Sequence, residues 1–380
     1  MRTRQTVAYV LGARPNFVKM APVIRATAER VPDARHVVIH TGQHYDREMS
    51  EIFLDDLELP PPDHMLAIGS GSHGAQTGRA LERLEAVLVH ESPDVVVVPG
   101  DVNSTLAAAL AAVKLGIPVA HLEAGLRSFD RTMPEEVNRV LVDQISRWCF
   151  IHSADAEDNL RREGVEQERI FFVGNTMIDT LVRMRRQIAA SRVHAELGIA
   201  RGRYALVTLH RPALVDGPAF GRVLDSLARL SSVMPVVFPM HPRSRANLPD
   251  GFACPERLHF VDPVGYVDFL ALQTHARAVI TDSGGVQEEA TFLRVPCFTV
   301  RENTERPITI REGTNELLGL EPEALQQIPW LLKRPRIPLQ APPGWDGRAA
   351  GRVAEQLAIA LGVAEHEHVT PLRSAAGGTP

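Results

Sequence analysis

From residue 6 to residue 175, short apolar and β-branched runs alternate with longer stretches of helical periodicity. The runs are TVAYVLG, ARHVVIHT, DVVVVPG, IPVAHLE, WCFIHS and RIFFVGN. Alternation of this kind predicts βαβ units and a parallel sheet. The runs are nearly continuous in Val and Ile, as strands are when helices cover both faces of their sheet. After the polar segment SRVHAELGIARGR the pattern begins again with YALVTLH, PVVFPMH, RLHFVDP, AVITDSG and PCFTV. Two doubly wound α/β domains are therefore expected, over 1–190 and 191–363. Ala350, Val353, Leu357 and Leu361 stand at helical spacing, so a last helix within 347–363 is expected to pack back toward the first domain. Residues 364–380 lack periodicity and read as a flexible tail, in which His366 and His368 are either metal ligands or part of a solvated terminus.

Composition narrows the partners more than the fold. The 380 residues suit about two domains, and 44% hydrophobic with 23% charged residues is ordinary globular composition. A net charge of −5 without a Lys/Arg block argues against nucleic acid and against an anionic membrane surface. Cys149, Cys254 and Cys297 are isolated, odd in number and set among apolar neighbours, which reads as buried thiols in a reducing, cytoplasmic compartment. The opening MRTRQTVAYVLGARP has too short an apolar run for a signal peptide and reads as a strand.

In open α/β sheets ligands bind beyond the carboxyl ends of the strands, so the residues there decide the chemistry. The first strand runs into GARPNFVKMAP, which sets Arg14 and Lys19 beside a helix N-terminus. Two cations in that place either suit an anionic ligand or are solvated charges on a loop. The third strand ends in PGDVNST, where Asp101 is either a helix N-cap or a functional carboxylate. The fourth ends in HLEAGLRS, with His121 and Glu123 two apart; such a pair either bonds structurally or does acid–base work. In RTMPEEVNRVLVDQISR, Pro134 suits the first helical turn and Glu135 and Glu136 complement its dipole. Arg139, four residues after Glu135, is either an ordinary ion-pair partner or a support that orients that carboxylate.

The second half supplies its own set. His210 and Arg211 follow one strand, His241 and Arg243 the next, and TDSGGVQEEA another. In that last stretch Gly284 and Gly285 let the backbone approach a ligand, the following helix N-terminus favours a phosphate oxygen, and Ser283 adds a hydroxyl donor. Glu288 or Glu289, a turn further on, can accept from the vicinal hydroxyls of a ribose. Phosphate donors followed by a diol acceptor describe a nucleoside diphosphate. No GKS, GKT or GxGxxG accompanies them, so neither a Walker loop nor a dinucleotide fingerprint is present.

Taken in order, GARPNFVKMAP, TGQHYDREMS, PGDVNST, HLEAGLRS, PEEVNR, TLHR, PMHPR, DSGGVQEEA and RENTERP resemble the non-hydrolysing UDP-N-acetylglucosamine 2-epimerases over nearly the whole chain. The resemblance implies two Rossmann-like domains of the glycosyltransferase-B type with an interdomain cleft. It also implies interconversion of UDP-GlcNAc and UDP-ManNAc by anti elimination of UDP to 2-acetamidoglucal and re-addition. No nicotinamide cofactor, no other cofactor and no metal belong to that reaction, and a homodimer is usual. By motif position Asp101, Glu123 and Glu135 match the catalytic carboxylates, and Lys19 and His210 the other essential groups. Arg14, Arg139, His241, Ser283, Gly284, Gly285, Glu289 and Arg306 match positions that hold the UDP-sugar.

Three places depart from the common pattern: Asn16 stands where many members have Glu, Ala213-Leu214 replace Glu-Asn, and TGQHYDREMS stands in place of the QHR-type sequence of allosterically activated bacterial members. Four further readings share parts of this logic. One is a 2-epimerase acting on a UDP-diacetamido uronic acid, and another a hydrolysing epimerase releasing ManNAc. A glycosyltransferase of the same fold would need an acceptor site in place of three carboxylates. A non-enzymatic sensor would need only the phosphate and ribose elements.

Overall fold

The computed structural model describes residues 4–42, 56–216, 218–240, 242–249, 251–334 and 340–364. The chain divides into two compact units, Met1–Arg183 with Pro343–Pro380, and Met184–Pro342. The chain passes to the second unit after Arg183, earlier than the expected boundary at 190, and the helix Thr176–Arg183 packs on the helix Arg14–Arg30 of the first unit. It returns to the first unit at Pro343, so the last helix is part of that unit rather than of the second.

The first unit is built on seven parallel strands: β1 Thr6–Leu11, β2 Arg35–His40, β3 His64–Met65, β4 Val95–Pro99, β5 Val119–Leu122, β6 Trp148–Ile151 and β7 Ile170–Phe172. Their order is β3-β2-β1-β4-β5-β6-β7. Four consecutive valines in β4 are buried because the strand is central and covered on both faces. The core above this sheet joins Val37, Ile39, Val96 and Val98 to Leu84, Leu88 and the alanines of the helix Asn103–Lys114.

The second unit repeats the plan with β8 Ala205–Thr208, β9 Val236–Pro239, β10 Leu258–Val261, β11 Ala278–Thr281, β12 Cys297–Thr299 and β13 Asn315–Leu317, in the order β10-β9-β8-β11-β12-β13. In each sheet the order reverses beside the unit's first strand, between β1 and β4 and between β8 and β11. These switch points are where an open α/β sheet leaves a crevice for a ligand. β3 and β13 escape the apolar pattern because they are edge strands of two and three residues, reading only HM and NEL.

The last helix is Ala349–Ala360, and it packs against the helix Arg14–Arg30. Ala349, Ala350, Val353, Ala354, Leu357 and Ala358 are its buried face. Asp179 accepts hydrogen bonds from the Ala349 and Ala350 backbone N–H groups at 3.1 and 2.7 Å, tying down the helix start. Burial pushes the Asp179 carboxyl up to about 6, against those two bonds.

Cys149 and Cys297 are buried free thiols, but Cys254 is exposed, contrary to its apolar surroundings in sequence. It lies in the loop before β10, beside Pro255, Glu256 and Arg257, where no sheet covers it. Among the described residues no helix is long and apolar enough to cross a membrane. His366 and His368, His241 and most of TGQHYDREMS lie outside the described residues, as does the side chain of Arg14.

Candidate active site

At the first unit's switch point the turns after β1, β4 and β5 converge. The helix Arg14–Arg30 begins without an acidic first turn; instead the Asn16 side-chain oxygen accepts from the Gly12 and Ala13 backbone N–H groups at 3.1 and 3.0 Å. Asn16 thus does at this helix start the capping that a carboxylate there would do. One turn further on, Lys19 Nζ meets Glu123 Oε2 at 2.5 Å, and both side chains are buried. Glu123 sits just past β5 with φ of 66°, a left-handed backbone that non-glycine residues seldom adopt. Strain of that kind is held at functional sites when its surroundings enforce it. Gly100 at the end of β4 also has positive φ, and a Cβ there would stand 3.4 Å from Lys19 Nζ and 3.7 Å from Glu123 Oε2. Lys19, Glu123 and the Gly100 turn therefore form one cluster.

Asp101 follows that turn. It is not the N-cap of the next helix, a place held by Val102; its carboxylate instead accepts from Arg139. Its backbone carbonyl accepts from Asn138 Nδ2 at 2.9 Å. Arg139 turns away from the i,i+4 pairing with Glu135 that its spacing suggested. Its second nitrogen donates to Glu136 Oε2 at 2.6 Å, and Glu136 also accepts from Ser128 N, Ser128 Oγ and Phe129 N, each at 2.9 Å. Glu136 is thus the structural member of the pair, buried under the loop after β5. Glu135 is left half-buried, with no hydrogen bond or ion pair among the described residues. Arg139 accordingly joins Asp101 rather than orienting Glu135.

His121 and Glu123 go to different partners. His121 lies within β5 and is fully buried, with Nδ1 2.7 Å from Asp143 Oδ1 and Nε2 donating to the Gly100 carbonyl at 2.7 Å. Asp143 also accepts from Gly125 N at 3.0 Å and from Arg127 at 2.8 Å. Burial opposes its charge, but the His121 and Arg127 contacts hold the carboxyl below the ordinary Asp range.

In the second unit, His210 follows β8 and its imidazole is more than half exposed. Its Nδ1 stands 2.7 Å from Asp282 Oδ1, and the other Asp282 oxygen accepts from the His210 and Arg211 backbone N–H groups at 2.9 and 2.8 Å. Asp282 is buried, which works against its charge, but these hydrogen bonds hold its carboxyl below the usual range. A buried carboxylate on Nδ1 fixes the ring and directs Nε2 outward. Ser283 is the N-cap of the helix Gly284–Leu293 but makes no side-chain capping bond, so its hydroxyl is not spent on the helix. A Cβ on Gly284 would collide with Arg306 Nη1 and come within 2.6 Å of Glu305 Oε1. Only glycine lets that guanidinium lie against the helix start.

Arg306 bonds Glu305 and stands 3.1 Å from Glu288 Oε1; Glu305 also accepts from Arg301 at 2.7 Å. Glu288 thus faces the arginine, whereas Glu289 accepts from Tyr266 OH at 2.7 Å. Burial pushes the Glu289 carboxyl up to about 8; the Tyr266 bond works against this and the neighbouring Glu288 charge adds to it. Gly285 lies in the first turn of the same helix. Among the members of these clusters that stood outside the candidate set are Asp143, Asp282, Tyr266 and Glu305. Asp282 had the clearest signal, since it directly precedes Ser283 at a strand end, while the others are joined only by the fold.

Two Rossmann-like units with carboxylates, cations and helix starts at their strand ends define an α/β enzyme of the glycosyltransferase-B fold type. A family model described as UDP-N-acetylglucosamine 2-epimerase matches residues 26–358. The chain is 45% identical over 330 residues to the UDP-N-acetylglucosamine 2-epimerase of Methanocaldococcus jannaschii, covering 84% of this chain and 90% of that one. It is 40% identical over 354 residues to the UDP-2,3-diacetamido-2,3-dideoxy-D-glucuronate 2-epimerase of Pseudomonas aeruginosa, covering 92% and 98%. The crystal structure of the M. jannaschii enzyme in complex with UDP-GlcNAc and UDP matches with a TM-score of 0.86 at 41% identity, covering 93% of this chain and all of that one. The chain belongs to the UDP-N-acetylglucosamine 2-epimerase family.

Proposed function

We propose that this chain is a non-hydrolysing 2-epimerase that interconverts UDP-GlcNAc and UDP-ManNAc. The supporting observation is the Lys19–Glu123 ion pair set beside Asp101 at one switch point, with Glu135 on the adjoining helix. Inversion at C2 requires a base to take the C2 proton while the C1–O bond to UDP breaks. An acid must then return a proton to the opposite face as UDP re-adds at C1. Asp101, Glu123 and Glu135 supply the carboxylates, and Lys19 pairs with Glu123. Departing UDP gathers charge on its diphosphate, which donors must receive. His210 Nε2, Arg306 and the start of the helix Gly284–Leu293 take that role, with Glu289 as acceptor for the ribose. Arg14, Arg139 and His241 complete the proposed UDP-sugar contacts, and the protein is expected to work as a homodimer.

Incubation with UDP-GlcNAc in D2O, followed by NMR, tests the reading. Deuterium at C2 together with the manno epimer is expected, with UDP still attached to the sugar. Free ManNAc and UDP would move the assignment to a hydrolysing enzyme. A second reading, epimerisation of a UDP-diacetamido uronic acid, is favoured by the likeness to the P. aeruginosa protein over almost its whole length. The same experiment with that sugar decides between them, and exchange with neither substrate overturns both.

A further inference from the structure

Glu135, Arg139 and Asp143 recur at four-residue intervals on the helix Pro134–Ile145, so they share one of its faces. Arg139 holds the Asp101 carboxylate. Asp143, a turn further on, is fully buried and touches neither Asp101 nor Glu123 in any described bond, yet it reaches both of their turns. One oxygen meets His121, whose far nitrogen donates to the carbonyl of Gly100, the residue before Asp101. The other accepts from the N–H of Gly125, two residues after Glu123. Arg127, itself held by Glu163 at 2.8 Å, closes the cluster.

We propose that Asp143 is a positioning residue for the C2 chemistry. With His121 it fixes the turn carrying Asp101 against the turn carrying Glu123. The inference rests on the epimerase reading above. Two turns joined only by their own strands are free to shift beyond the sheet, where the ladder hydrogen bonds have ended. A carboxylate bridging both removes that freedom, and it helps maintain the left-handed conformation of Glu123 by anchoring the chain directly after it. Misplacement by about 1 Å costs on the order of a hundredfold in rate, so a group that never touches substrate can still govern turnover.

The test compares Asp143→Asn with Glu163→Gln in the full-length protein. Asparagine can still accept from Gly125 N but loses the charge that His121 and Arg127 face. Asp143→Asn is expected to lower kcat roughly tenfold to a hundredfold, while KM and UDP affinity stay within about twofold of the parent. Glu163→Gln is expected to lower the melting temperature with kcat unchanged. In a Glu123→Gln background Asp143→Asn should cost less than alone, since part of its effect acts through the placement of that carboxylate against Asp101. If Asp143→Asn does not fold, His121→Gln, which can keep a donor near the Gly100 carbonyl, takes its place with the same expectation. An active parent whose folded Asp143 or His121 variant keeps full kcat overturns the positioning role alone. Additive losses in the double variant also overturn it. A parent that exchanges no C2 proton overturns the epimerase reading and this assignment together.

Discussion

Lys19 Nζ and Glu123 Oε2 are 2.5 Å apart in a part of the first unit where both side chains are less than a tenth exposed. Desolvating two charges is costly, so such a pair is a weak route to stability for its own sake. Its position beside the Gly100 turn and Asp101 places it instead where the proposed C2 chemistry needs a carboxylate.

Removing one partner strips this contact from a buried charge. Lys19→Ala is therefore expected to destabilise the protein by about 3–5 kcal/mol, read by urea denaturation. Lys19→Ala combined with Glu123→Ala should recover part of that loss. Glu123→Gln should lower turnover by more than about a hundredfold in the D2O assay.

Asp282 is the residue that aims His210. Asp282→Asn keeps the size but removes the carboxylate facing Nδ1, so loss of turnover by roughly two to three orders of magnitude is expected, as for an orienting carboxylate in other acid–base sites. His210→Asn should lose a similar amount. The double variant should be little worse than either single one, because the two act as a unit.

Gly284 leaves no room for a side chain. Gly284→Ala would press a methyl group on the ends of the Arg306 and Glu305 side chains, which must swing aside from the helix start. Calorimetric titration with UDP is expected to show about a tenfold weaker affinity or more, with C2 exchange reduced in proportion at low substrate.

Glu289 makes stability depend on pH. Its folded carboxyl is raised to about 8 from the ordinary 4.5, so the folded state binds more protons than the unfolded chain between those values. Stability from this group is complete below about pH 4.5 and is lost as pH rises toward 8. Glu289→Gln, which cannot ionise, should flatten this fall, seen as a melting temperature that drops less than the parent's between pH 5 and about 9. Equal slopes for the two proteins would show that Glu289 is ionised in the folded state at neutral pH.

The alternation of apolar runs with helical periodicity determined two parallel α/β units, because a strand buried on both faces must be apolar at nearly every position. The predicted strands are all present, from TVAYVLG at β1 to PCFTV at β12. Motif order was enough to indicate the family, and strand-end position picked out Lys19, Asp101, Glu123, His210 and Ser283. Partner choice belonged to the tertiary structure. Spacing alone paired Arg139 with Glu135, but the loop after β5 brings its N–H groups to Glu136 and the β4 turn brings Asp101, so the guanidinium goes there. His121 stood two residues from Glu123 in sequence and was drawn to Asp143, a residue on another element. Which buried charges meet depends on which turns a sheet sets side by side, and no local pattern in the chain encodes that.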